Sequence, residues 1–127
     1  MPLVRITLRK GRSPEQLRGL SAAVHQALVA KANVPPDDYF HVIDEVPATS
    51  LFADPAYVGM QRTEGVVFIE ITLNAGRTVE VKRALYADIA ARLERVGVRP
   101  DDVLVNLVEV AKEDWSFGRG VATYAQE

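Results

Sequence analysis

The chain is written twice, and that duplication limits its fold more than any single motif does. Arg5-Ile6-Thr7-Leu8-Arg9-Lys10-Gly11-Arg12-Ser13-Pro14-Glu15 lies over Glu70-Ile71-Thr72-Leu73-Asn74-Ala75-Gly76-Arg77-Thr78-Val79-Glu80. Farther on, Val34-Pro35-Pro36-Asp37-Asp38 lies over Val98-Arg99-Pro100-Asp101-Asp102. The offset changes by one residue between the blocks, so a single-residue indel sits in the intervening helix or its end. Two copies fall short of the roughly three that a solenoid needs, and a duplicated half-domain is the better reading.

Each copy reads strand, helix, strand. In the first, Val4, Ile6 and Leu8 alternate with Arg5, Thr7 and Arg9, the period of a half-buried strand. Gly11 breaks it, Ser13 is a good N-cap, and Pro14 suits the first helical position, where its missing N–H costs nothing. Leu17, Leu20, Val24, Leu28 and Lys31 recur at helical spacing and predict a helix of about five turns. Val34-Pro35-Pro36 stops it, and a strand follows near Tyr39–Val46. The second copy predicts a strand at Val66–Leu73, a Thr78 cap, and a helix lined by Val81, Leu85, Ile89, Leu93 and Val96. Gly97 and Pro100 end that helix before a strand at Val103–Val110.

Strand-helix-strand units close by right-handed crossovers between parallel strands. Two such units (about residues 2–46 and 66–110) predict an α/β (α+β) fold, a four-stranded mixed sheet with both helices on one face. The strands at Val66–Leu73 and Val103–Val110 carry apolar residues on both sides, as strands buried on both faces do. The chain holds no third layer, so other subunits are expected to cover the open face. Pro47–Thr63 reads as an irregular linker, and Asp114–Gly120 as a short turn or hairpin.

Composition narrows the function. The 127 residues, 14.0 kDa, make one domain by length. Lys+Arg is 15 against Asp+Glu 17, a balance without the basic excess of a nucleic-acid or anionic-membrane surface. The absence of cysteine excludes disulfides, zinc-thiolate sites and a cysteine nucleophile, and agrees with a cytoplasmic location. No apolar run reaches transmembrane length, and Met1-Pro2-Leu3-Val4-Arg5 lacks the layout of a signal peptide. No metal-ligand spacing, Gly-rich phosphate loop or GxSxG is present.

A few residues can carry chemistry. A small residue after the initiator lets Met1 be removed, which would expose the secondary amine of Pro2. An α-amino group titrates ordinarily at about 7.7–8.0, so it can serve as general base or general acid near neutrality. Arg12 and Arg77 hold the same place in the two copies, just before a helix cap, where a guanidinium can grip a carboxylate bidentately. Of the duplicated aspartates, Asp37, Asp101 and Asp102 read as turn and cap chemistry. Asp38, just before a strand, is placed to polarise water or tune a nearby amine. His25 and His41 lie on unrelated elements and read as satisfied structural histidines. Trp115 and Phe117 read as core, or as the wall of an apolar pocket.

Taken together, Pro2 opening an alternating strand, Gly-Arg-Ser/Thr before each helix, then Val-Pro and a strand resemble the tautomerase superfamily typified by 4-oxalocrotonate tautomerase. The doubled length resembles its fused-repeat members. Val34-Pro35…Asp38, Gly76-Arg77-Thr78…Glu80…Lys82 and Asp114-Trp115-Ser116-Phe117-Gly118-Arg119-Gly120 most resemble the malonate semialdehyde decarboxylases. The resemblance covers nearly the whole chain. It implies a homotrimer with sheets inside and helices outside, no cofactor, and catalysis by the Pro2 amine. It implies that Asp38 directs water or a carbonyl and that Arg77 binds a substrate carboxylate. Arg12, Trp115 and Phe117 become substrate-binding candidates. Where the decarboxylases carry a second arginine, this chain has Ala75. The expected substrate is a small oxo acid. Tautomerisation of a 2-oxo acid comes first and decarboxylation or hydration of a 3-oxo acid second, with a non-enzymatic binding trimer as the rival class.

Overall fold

The computed structural model describes residues 1–125. Strand β1 (Leu3–Arg9) leads to helix α1 (Pro14–Lys31) and strand β2 (His41–Val46); strand β3 (Val67–Asn74) leads to helix α2 (Val79–Arg95) and strand β4 (Val103–Val110). The sheet order is β2-β1-β3-β4. Within each repeat the strands are parallel, Val4 beside His41 and Val67 beside Val103, while β1 and β3 run antiparallel with Leu3 beside Thr72. This is the expected mixed sheet.

Local chemistry repeats with the sequence. Ser13 accepts from Gln16 N at 3.1 Å while Gln16 Oε1 accepts from Ser13 N at 2.8 Å, a reciprocal cap on α1. Thr78 caps α2 by accepting from Val81 N at 3.2 Å. Gly11 and Gly76 take φ of 137° and 124°, backbone that a side chain disfavours, which is why both copies place glycine before the arginine.

Both helices pack on one face of the sheet. Leu20, Val24 and Leu28 of α1 and Leu85, Ile89 and Leu93 of α2 meet Val4, Ile6, Leu8, Ile69, Ile71 and Leu73 in one core. Each such side chain contributes about 1.5–3 kcal/mol by leaving water. The other face is more mixed than strand patterning predicts. Leu3, Val42, Leu104 and Val108 are exposed there, but they alternate with the Arg5–Asp44 ion pair, Glu70 and Asn106. The linker after β2 folds into two short 3₁₀ turns, held by Arg9, which donates to the carbonyls of Ala48, Leu51 and Glu64. The tail forms no hairpin among the described residues. A 3₁₀ turn at Lys112–Asp114 is followed by turns in which Gly118, Arg119 and Gly120 all take positive φ, a bend that strand pairing does not allow. No helix among the described residues is long and apolar enough to cross a membrane.

Candidate active site

Sheet topology gathers the chemistry. Because β1 and β2 are parallel, their starts are neighbours; because β3 runs against β1, the ends of β3 and β4 arrive at the same edge. Pro2 before β1, Asp38 before β2, Arg77 after β3 and Trp115 and Phe117 after β4 therefore converge, although they span most of the sequence.

Pro2, Leu3, Phe40, Trp115, Ser116 and Phe117 line a cavity of about 250 Å³. Trp115 is fixed by its indole N–H, which donates to Asn74 Oδ1 at 2.7 Å, and stacks on Phe117 with ring centroids 5.3 Å apart. Phe40 and Tyr124 close on Phe117 at 5.8 and 5.7 Å. Larger hollows lie elsewhere, including one of about 520 Å³ between α1 and β2. Size does not select the site; an unsatisfied carboxylate does.

That carboxylate is Asp38. It is 5% exposed, and neither oxygen has a hydrogen-bond partner among the described residues. Buried polar groups are nearly always bonded, so an orphan of this kind points to a function. Its one ion-pair partner among the described residues is the chain's amino terminus, with Met1 N 3.8 Å from Oδ2. Burial pushes the Asp38 pKa up, the amine pulls it back down, Asp37 raises it and His25 lowers it. The terminal amine is pushed below its ordinary value by burial; Asp38 opposes this, whereas Arg77 and Lys112 add to it.

Arg77 is anchored by its neighbours. Nε and Nη2 donate to Ala32 O, the C-cap carbonyl of α1, at 3.1 and 2.7 Å, and Nη1 donates to Asn74 O at 3.2 Å. A guanidinium has five N–H donors, so one remains on each terminal nitrogen. Two N–H groups without a partner among the described residues leave the guanidinium able to donate to a carboxylate.

Arg12 is not brought to this site. Its Nη2 donates to Gly65 O at 2.9 Å, at the opposite edge of the sheet, about 23 Å away along the seven residues of β1. The repeat explains why. Arg12 corresponds to Arg77 and Asp102 to Asp38, so the duplication builds a matching corner at the other end of the strands, with its arginine from the first copy and its aspartate from the second. There the linker fills the space. Asp102, 2% exposed, accepts from Thr63 N at 2.7 Å and Thr63 Oγ1 at 2.6 Å, and a Cβ on Gly65 would lie 3.5 Å from both Asp102 and Arg12. Asp102 is thus a buried anchor for the linker rather than turn chemistry. Asp101 accepts from Gln61 N at 2.9 Å, and Asp37 is exposed.

The histidines also differ from expectation. His25 and His41 come together, ring centroids 6.0 Å apart, and each leaves one buried ring nitrogen without a partner among the described residues. Burial pushes His41 down to about 4, with the charge of His25 adding to the effect. Phe40, Ser116, Tyr124 and Lys112 were not legible as site residues. Phe40 is the residue after Tyr39 in a segment that reads as strand, and the others gain meaning only from the tail's bend.

Two family patterns, each described as "Tautomerase enzyme", match residues 38–118 and residues 2–61. The chain is 46% identical over 123 residues to the "Probable tautomerase YusQ" of Bacillus subtilis (strain 168), covering 96% of this chain and 97% of that protein. It superposes on FG41 malonate semialdehyde decarboxylase inhibited by 3-bromopropiolate with a TM-score of 0.92 and 40% identity, covering 96% of this chain and 93% of the other. A second malonate semialdehyde decarboxylase, for which decarboxylase and hydratase activities are described, gives a TM-score of 0.90 at 33% identity, covering 96% and 95%.

Proposed function

Because the chain belongs to the tautomerase family and is an enzyme of that superfamily, we propose that it acts on a small oxo acid through the free amine of Pro2, without a cofactor. Removal of Met1 bares that nitrogen at the start of β1, where the strand holds it rigidly. Arg77 receives the substrate carboxylate on its two uncommitted N–H groups. Trp115 and Phe117 wall the cavity and keep water from the reacting carbons.

The observation that carries this reading is the buried, bond-free Asp38 carboxylate at the head of the chain, 3.8 Å from Met1 N and so beside the residue whose nitrogen Met1 removal would free. Burial lowers the pKa of the terminal amine, and an anion there works against that and favours the cationic form. A cationic Pro2 polarises a carbonyl oxygen rather than abstracting a proton, which favours decarboxylation of a 3-oxo acid, with hydration on the same groups. The bond between the carboxylate carbon and its neighbour breaks, and its electron pair moves into the adjacent carbonyl as an enolate. The Pro2 ammonium stabilises the developing oxyanion, CO₂ leaves, and the carbon that lost it takes a proton from water. The similarity to two malonate semialdehyde decarboxylases supports this order. The same cavity supports a second reading, tautomerisation of a 2-oxo acid. There a neutral Pro2 moves a proton between enol oxygen and carbon, and the aromatic wall suits a substrate such as phenylpyruvate. Three chains are proposed to assemble through the open sheet face.

The test offers malonate semialdehyde and phenylpyruvate enol to one preparation whose intact mass is that of a chain beginning at Pro2. Turnover of the first, reduced about 10²–10⁴-fold in Pro2→Ala, is expected from loss of the acid–base group. Asp38→Asn should slow decarboxylation more than tautomerisation. A chain that keeps Met1, or turnover unaffected by Pro2→Ala, overturns the reading.

A further inference from the structure

Asp38 lies in the connection between α1 and β2, a stretch with no regular backbone pairing of its own. A buried carboxyl without a hydrogen-bond partner gains by turning out to water, so something must hold it inward. The holding contacts come from α1. His25, 8% exposed, donates from Nε2 to Pro36 O at 2.8 Å. Asp38 N donates to Pro35 O at 3.0 Å, closing the turn that this carbonyl pair supports. On the other side of Asp38, the Tyr39 ring stacks on His25 with centroids 4.1 Å apart. Tyr39 Oη shares a hydrogen bond with Ser21 Oγ at 2.7 Å, and Ser21 Oγ another with His41 Nδ1 at 2.9 Å. Ser21 and His25 are one turn apart on the same helix face. The residues immediately flanking the Asp37-Asp38 pair are thus tied to α1.

We propose that His25 is a positioning residue: by holding the Pro36 carbonyl and the Tyr39 ring, it keeps the Asp38 carboxylate turned inward against the amino terminus. The inference rests on the role given to Asp38 above. His25 touches no substrate in it. Position and charge make opposite predictions. The groups that face Asp38 are the terminal amine, Asp37 and His25, with Tyr124 on the tail, whose hydroxyl pKa is raised by burial first and by Asp38 second. The charge of His25 lowers the Asp38 pKa, so deleting charge alone moves it further up. Releasing the turn lets the carboxyl reach water and moves it down, toward the ordinary value of about 3.9.

The experiment follows the Asp38 side-chain carboxyl by NMR titration of ¹³C-labelled protein in the wild type, His25→Ala and His25→Gln. Both variants remove the charge, but only the glutamine keeps an N–H able to reach Pro36 O. We expect a downward shift in His25→Ala and none downward in His25→Gln. On whichever oxo acid is turned over, kcat should fall about tenfold in His25→Ala with KM changed less than about twofold, and His25→Gln should restore it. An unchanged or raised Asp38 titration in His25→Ala overturns the proposal, as does a glutamine variant that behaves like the alanine. If His25→Ala does not fold, His25→Leu decides, since it fills the space of the ring but donates nothing to Pro36 O. A downward shift there supports the proposal, and an unmoved titration refutes it. A wild type without turnover on any oxo acid defeats the functional reading but leaves this titration readable.

Discussion

Arg77 is expected to serve two masters, and replacing it separates them. Three of its five donors hold the carbonyls of Ala32 and Asn74, and two remain for substrate. Ala32 is 2% exposed, so its carbonyl, once deserted, is a buried acceptor without its cation; that costs about 1–3 kcal/mol. With an unfolding entropy of about 2.1 cal/mol/K per residue over 127 residues, the loss corresponds to a Tm drop of roughly 4–11 °C. The two free donors are worth about 1.5–3 kcal/mol as a charge-assisted pair, or about one to two decades of kcat/KM at roughly 1.4 kcal/mol per decade. Arg77→Ala should show both losses. Arg77→Lys keeps the charge, but one ammonium cannot reach Ala32 O and fork onto a carboxylate at once, so it recovers one loss and not the other. Calorimetry and steady-state kinetics on the same preparations read the two quantities. A Tm unmoved in Arg77→Ala refutes the anchoring argument. A lowered Tm with kcat/KM intact refutes carboxylate binding.

Arg12→Met should lower stability by about 1–3 kcal/mol, because Gly65 O loses its charged donor, and leave KM unchanged; a raised KM would place Arg12 in the substrate site after all. Lys112→Gln removes a cation that depresses the terminal amine, so the amine pKa should rise and the matching limb of the pH–rate profile should move alkaline. The slope of that limb identifies the reaction. Activity that falls as pH rises through the amine pKa belongs to a cationic Pro2, and activity that rises belongs to a neutral one. Light scattering should give three chains of 14.0 kDa per particle, and a monomer that keeps its fold would show that the open face needs no cover.

Much of the fold was readable because its signals are local. Alternation marked β1, a stretch apolar on both sides marked β4, Ser13 and Thr78 marked the helix starts, and Gly97 marked the end of α2, each through chemistry reaching only a few residues along the chain. The repeat went further and implied the paired βαβ architecture. The residues Pro2, Asp38 and Arg77 could be singled out too, since terminal position and duplication are properties of the sequence. Which of them meet was not readable. Arg12 and Arg77 are equal in sequence, and only the antiparallel pairing of β1 with β3 sends one to the amino terminus and the other to the linker. The same holds for Asp38 and Asp102, one orphaned beside the amine and the other consumed by Thr63. His25 and His41 looked unrelated because sixteen residues and a helix end separate them, yet α1 folds back along β2 and brings their rings together. Burial, orphaned atoms and the bend of the tail all depend on what packs from far along the chain, and that is decided only when the sheet closes.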